Sequence, residues 1–140
     1  MANSVYPLWK NALMSELATN KSLDQGPPNN CALVLLSIGA GGYTYSDFHQ
    51  WYTDLTGIVN VAKAVTSPSL TSNVFSVAGL VFTGVTGSTI GAFAMFRQNS
   101  GANTTWRLVL YEDTNVIGLP MIPNGGNLLV TWSTQGVFAL

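Results

Sequence analysis

Charge is scarce in this chain. Five Lys and Arg and six Asp and Glu make up 8% of its 140 residues, against about a quarter in an ordinary soluble domain. The five basic residues, Lys10, Lys21, Lys63, Arg97 and Arg107, are scattered, so no phosphate-tracking patch of useful density can be assembled and direct nucleic-acid binding is not expected. A single cysteine, Cys31, rules out an intramolecular disulfide and agrees with folding in a reducing compartment. One histidine, His49, leaves no basis for a multi-histidine metal site or a repeated acid–base constellation. Long apolar runs are also lacking. The longest, Cys31 to Ile38 with Ser37 inside it, falls far short of the roughly eighteen residues of a spanning helix, so no membrane partner is expected. Met1-Ala2-Asn3-Ser4 carries neither a charged nor an apolar leader region, which predicts no export.

Apolar residues are plentiful, at 47%. A lone small protein stays soluble with a surface of roughly 25–35% charged residues, so this composition predicts a chain that covers part of its surface with partners, including copies of itself. The length suits one domain, residues 1–140, that buries roughly two-thirds of the surface its unfolded form exposes.

Periodicity assigns the elements. Ser4 reads as an N-cap and Pro7 as a first-turn proline. Tyr6, Trp9, Leu13 and Leu17 share one stripe, predicting an amphipathic helix over about 5–18. Gly26-Pro27-Pro28-Asn29-Asn30 breaks the chain. Strands are expected from residue 31 onward, the first being Cys31 to Ile38, which shows no polar alternation and reads as buried on both faces. Ser46 would cap a second, short helix over about 47–56, with Phe48, Trp51, Tyr52 and Leu55 on one face and Gly57 as its stop. Further strand-like pieces run from Ile58 to Val65, Leu70 to Val77, Leu80 to Thr83 and Thr89 to Arg97. The loop Asn99-Ser100-Gly101-Ala102-Asn103 makes a hairpin of the last piece and Thr104 to Glu112.

Pro120 and Pro123 forbid helix, and Asn124-Gly125-Gly126 turns the chain. After the turn, Leu128, Val130 and Trp132 alternate with Leu129, Thr131 and Ser133. A short tail, Val137 to Leu140, follows. Roughly six to eight strands and two helices signal a mainly β domain, a β-sandwich or jelly-roll-like barrel.

Chemistry is hard to find. Cys31 inside an apolar strand reads as an inert thiol. Glu112 and Asp113, being adjacent on a strand, point to opposite faces and cannot straddle a scissile bond. Gly39-Ala40-Gly41-Gly42 follows a strand, but Thr44 stands where a dinucleotide fingerprint needs glycine, so it reads as a turn. No catalytic residue, metal or cofactor is expected. Of the aromatics, Trp9, Trp51, Trp106 and Trp132 read as core, whereas Tyr43 and Tyr45, beside a glycine-rich turn, read as exposed contacts.

Three motifs carry a resemblance. They are Tyr6-Pro7-Leu8-Trp9-Lys10-Asn11-Ala12-Leu13, then Tyr43-Thr44-Tyr45-Ser46 followed by His49, and lastly Gly118-Leu119-Pro120 with Pro123-Asn124-Gly125-Gly126 and Val130-Thr131-Trp132. In this order, spanning nearly the whole chain, they resemble a family of small structural proteins of tailed double-stranded-DNA bacteriophages. The resemblance implies a non-enzymatic virion component, a capsid decoration or cement protein. Such a protein is made in the host cytoplasm and sits on the capsid exterior, with the major capsid protein and copies of itself as partners. Tyr6, Trp9, Tyr43, Tyr45, Pro120, Pro123 and Asn124 are the interface candidates. The family pattern has an acidic residue after the Gly-Gly pair where this chain has Asn127, so no charge contact carries over there. Two other roles remain open: a tail or head-completion protein, and a carbohydrate-binding module using Tyr43, Tyr45 and Tyr52.

Overall fold

Apolar and β-branched runs, cut at short intervals by Gly, Pro and Asn, build a mainly β, sandwich-like domain. The computed structural model describes residues 4–9, 23, 26–72 and 74–139. Among them are ten strands: β1 Ser4–Val5, β2 Cys31–Leu36, β3 Ile58–Ala64, β4 Ser69–Thr71, β5 Val74–Ser76, β6 Leu80–Phe82, β7 Ala92–Arg97, β8 Arg107–Glu112, β9 Leu128–Val130 and β10 Phe138–Ala139. They form a five-stranded sheet in the order β1-β8-β7-β2-β3, a three-stranded sheet β10-β5-β4 and a pair β6-β9.

The large sheet holds the core. Every residue of β2 and of β7 is buried, as the absence of polar alternation in these runs predicts. Across the sheet, directly opposed residues share a face. One row runs Val59, Leu35, Phe93, Glu112. On the other face Val34, Ala94, Tyr111 and Ser4 are aligned. The small side chain of Ala94 leaves the space above that face to aromatic rings, which is where the tyrosines collect.

The β7–β8 hairpin forms as read, with its loop tightened by a 3-10 turn at Asn103–Thr105. The closing strand does not join the large sheet. It pairs with β6, Leu80 opposite Val130 and Phe82 opposite Leu128. The same antiparallel alignment extends through Val85, which exchanges backbone hydrogen bonds with Gly125 and Gly126, to Ile90, which bonds Met121 in both directions at 2.8 Å. The alternation read in the closing strand holds, since Leu128, Val130 and Trp132 are half-buried and Leu129, Thr131 and Ser133 exposed.

Three expectations are corrected. Ser4 does not cap a helix, because Ser4 and Val5 pair with Tyr111 and Leu110 as an edge strand. Residues 7–9 are helical behind Pro7, and the rest of the helix read over about 5–18 lies outside the described residues. The second helix over about 47–56 is only a 3-10 turn at Tyr52–Asp54. Tertiary hydrogen bonds outcompete a short helix here. Tyr52 N donates to the Trp106 carbonyl, and the Gln50 carbonyl accepts from Leu108 N. The Asp54 carboxylate accepts from the backbone of Gln50 and Trp51, both at 2.9 Å. Finally, the stretch Leu70 to Val77 is two strands, β4 and β5, folded back on each other. Ser72, with φ of 51°, turns the chain between them.

Candidate functional site

The interface candidates separate into two groups. Tyr6, Trp9 and Tyr43 are buried and belong to the core, so Tyr43 is not the exposed contact that its glycine-rich neighbourhood suggests. Gly42 explains the inward turn of that loop. A Cβ on it would lie 2.5 Å from the Ser37 carbonyl, and this close approach lets Tyr43 N donate to the same carbonyl at 2.7 Å. Gly39-Ala40-Gly41-Gly42 is therefore a turn, closed by Gly42 N onto the Gly39 carbonyl.

Four tyrosines then pack together. Ring centroids of Tyr43 and Tyr45 lie 5.6 and 5.1 Å from that of Tyr111, and Tyr6 lies 5.2 Å from Tyr45. Their hydroxyls are satisfied internally. The Tyr6 and Tyr43 hydroxyls are 2.8 Å apart, and the Tyr43 hydroxyl is 2.8 Å from His49 Nδ1. Tyr45 donates to Ser4 Oγ and Tyr111 to Asp113 Oδ2. Burial pushes the Tyr43 phenol up to about 12, helped by its tyrosine and Asp54 neighbours and opposed by the Tyr6 hydrogen bond. Burial also raises Tyr6 and Tyr111. The cluster is a neutral, hydrogen-bonded core, with nothing poised to react. Trp9 meets Phe138 edge-on at 5.7 Å, fastening the N-terminal segment to the small sheet.

The groups considered for chemistry are separated. Burial lifts the Cys31 thiol to about 12, so at neutral pH it is protonated and unreactive. Its Sγ contacts the Leu23 carbonyl at 3.8 Å, while His49 is engaged by Tyr43. Asp113 accepts from Tyr111, whereas Glu112 lies in the row with Phe93. Among the described residues no group of three or more His, Cys, Asp and Glu is placed to hold a metal ion.

The second group faces solvent. Pro120 and Asn124 are exposed and Pro123 is half-buried. Gly118 at φ of 94° and a cis Leu119–Pro120 peptide shape the bend, and Asn124 Oδ1 accepts from Gly126 N at 2.9 Å. Asn127 holds the turn by accepting from Gly84 N at 3.3 Å.

Between and beside these positions lie large apolar side chains that the sequence reading did not single out. Ile117 is fully exposed, Ile122 is 79% exposed and Leu129 60%. Leu129 stands directly opposite exposed Val81, so the β6–β9 pair presents an apolar outer face. The period-two pattern of the closing strand already put Leu129 opposite to Trp132. What it could not supply was which face the body of the domain would cover. No family model matches the chain, and no curated protein matches it.

Proposed function

We propose that this chain is a non-enzymatic virion structural protein, a capsid decoration or cement protein of a tailed phage. It would act by covering the apolar face around residues 117–129 at junctions of the shell. The observation that carries the proposal is the exposure of Ile117, Ile122, Leu129 and Val81 in a chain with 8% charged residues. Large apolar side chains gathered along one segment are characteristic of a surface that meets a partner, and few charges suit contacts repeated by symmetry. The resemblance of the three sequence motifs points the same way.

The carbohydrate-binding reading has less support, with Tyr45 and Tyr52 only half-buried but turned toward neighbouring rings. Tyr43 is buried, and Tyr52 packs against Phe96 and Trp106 with centroids at 4.5 and 5.5 Å. Quantitative mass spectrometry of purified virions tests the proposal. A copy number near a small whole-number fraction of the major shell subunit is expected. A few copies per particle would move the assignment to a tail or head-completion role, and absence from the particle would refute a virion role.

A further inference from the structure

The row Val59, Leu35, Phe93, Glu112 ends in a carboxyl on an otherwise apolar face. Residues 115–119 and 128–133 rise beside it and, with Leu35, Ile90 and Phe93, line a cavity of about 660 Å³. That is within the range of small-ligand sites, roughly 300–1,000 Å³. Glu112 is the one titratable side chain in the lining. The side chain is half-buried, no hydrogen bond or ion pair of its carboxyl is found among the described residues, and burial raises its pKa. Two aromatic rings adjoin it. Phe93 is its cross-strand partner, and Trp132 meets Phe93 edge-on at 5.5 Å.

We propose that this cavity binds a small organic cation, an apolar body bearing an ammonium group, with Glu112 as its counter-ion and Phe93 and Trp132 as its aromatic wall. A partly desolvated carboxylate without a partner is costly, and a bound ammonium offsets that cost. Ring faces add attraction for the same charge. A bare metal ion would find one carboxylate among apolar walls and remain under-coordinated. An anion would be repelled, and a neutral ligand would leave the carboxylate uncompensated. The size of the cavity calls for a molecule with an apolar body.

The charges nearest on the surrounding elements do not supply the cation. Asp113, the residue after β8, is an acid as well and is held by Tyr111, Arg97 stands at the far end of β7 opposite Arg107, and the segments 115–119 and 128–133 contain no charged residue. The proposal does not depend on a virion role.

Calorimetric titration of the whole chain with 2-phenylethylammonium, and with 2-phenylethanol as the neutral analogue, tests it. The cation is expected to bind saturably to the wild type and at least tenfold more weakly to Glu112→Gln, with the far-UV spectrum unchanged. Its affinity should also fall as pH drops through the raised carboxyl range, a measurement that needs the wild type alone. Lack of saturation at millimolar cation, equal affinity for the alcohol, or undiminished binding by Glu112→Gln or at low pH would each overturn the proposal.

Discussion

The Tyr6–Tyr43–His49 chain of hydrogen bonds makes an unusual demand on mutants: a double substitution should hurt less than one of its singles. Tyr43 is the middle member, 2.8 Å from the Tyr6 hydroxyl and 2.8 Å from His49 Nδ1. Tyr43→Phe removes two hydrogen bonds worth about 1 kcal/mol each, and strands the Tyr6 hydroxyl. That residue is 0% exposed, so water cannot replace the partner and a further ~1–3 kcal/mol is lost. The total is roughly 3–5 kcal/mol. Tyr6→Phe removes the terminal hydroxyl and leaves Tyr43 bonded to His49, costing about 1 kcal/mol. In the double variant no hydroxyl is stranded, and the loss is about 2 kcal/mol.

Urea unfolding followed by circular dichroism reads these differences as midpoints. With a slope of about 2 kcal/mol/M, Tyr43→Phe should lower the midpoint by roughly 1.5–2.5 M and the double variant by about 1 M. Additivity of the two single losses within about 0.5 kcal/mol would refute the stranded-hydroxyl reasoning. A double variant weaker than Tyr43→Phe would refute it too.

The same phenols predict alkaline behaviour. Their folded pKa values are raised, so their contribution to stability is complete below the unfolded value of about 10 and is lost as pH climbs toward and beyond 12. Absorbance at 295 nm should then rise together with unfolding, whereas independent titration of all five tyrosines near pH 10 with secondary structure intact would contradict the burial. Glu112 is raised as well, so Glu112→Gln should increase the urea midpoint at pH 7 and lose that advantage near pH 4. An unchanged or lowered midpoint at pH 7 would show that the carboxylate is compensated. In the stretch read as a second helix, Phe48 is 86% exposed, and Phe48→Ser should change stability by less than about 0.5 kcal/mol. Asp54→Ala removes the acceptor of two backbone N–H groups and should cost about 1–3 kcal/mol. If thermal denaturation ranks these two variants in the opposite order, the helical stripe was the better description.

Elements with a full strand's worth of pattern are legible in the sequence. β2, β7 and β8 are six residues each, and their apolar runs exceed anything a solvent-exposed loop would carry. The hairpin between β7 and β8 needed only its loop signal. Shorter pieces misled. Phe48, Trp51, Tyr52 and Leu55 are spaced as a helix would space them, yet that stripe is too short to hold against the backbone of β8 and the Asp54 carboxylate. The stretch Leu70 to Val77 reads as one strand because the φ of 51° at Ser72 leaves no mark in composition. Tyr43 looked like a surface ring because glycines flank it. The same glycines let the loop press against Ser37 and carry the ring inward.

Composition and periodicity alone determined the β class of this protein, its buried central runs, the alternating faces of its closing strand and its poverty of charge. These properties are local or additive, and each residue contributes to them wherever the chain goes. Tertiary structure decided which strand the closing segment joins, that Tyr6 and Tyr43 meet over Ala94's face of the sheet, and that Glu112 stands beside Phe93 with Trp132 above them. Such pairings depend on strand register, and register is settled only when faces from distant parts of the chain compete for the same core.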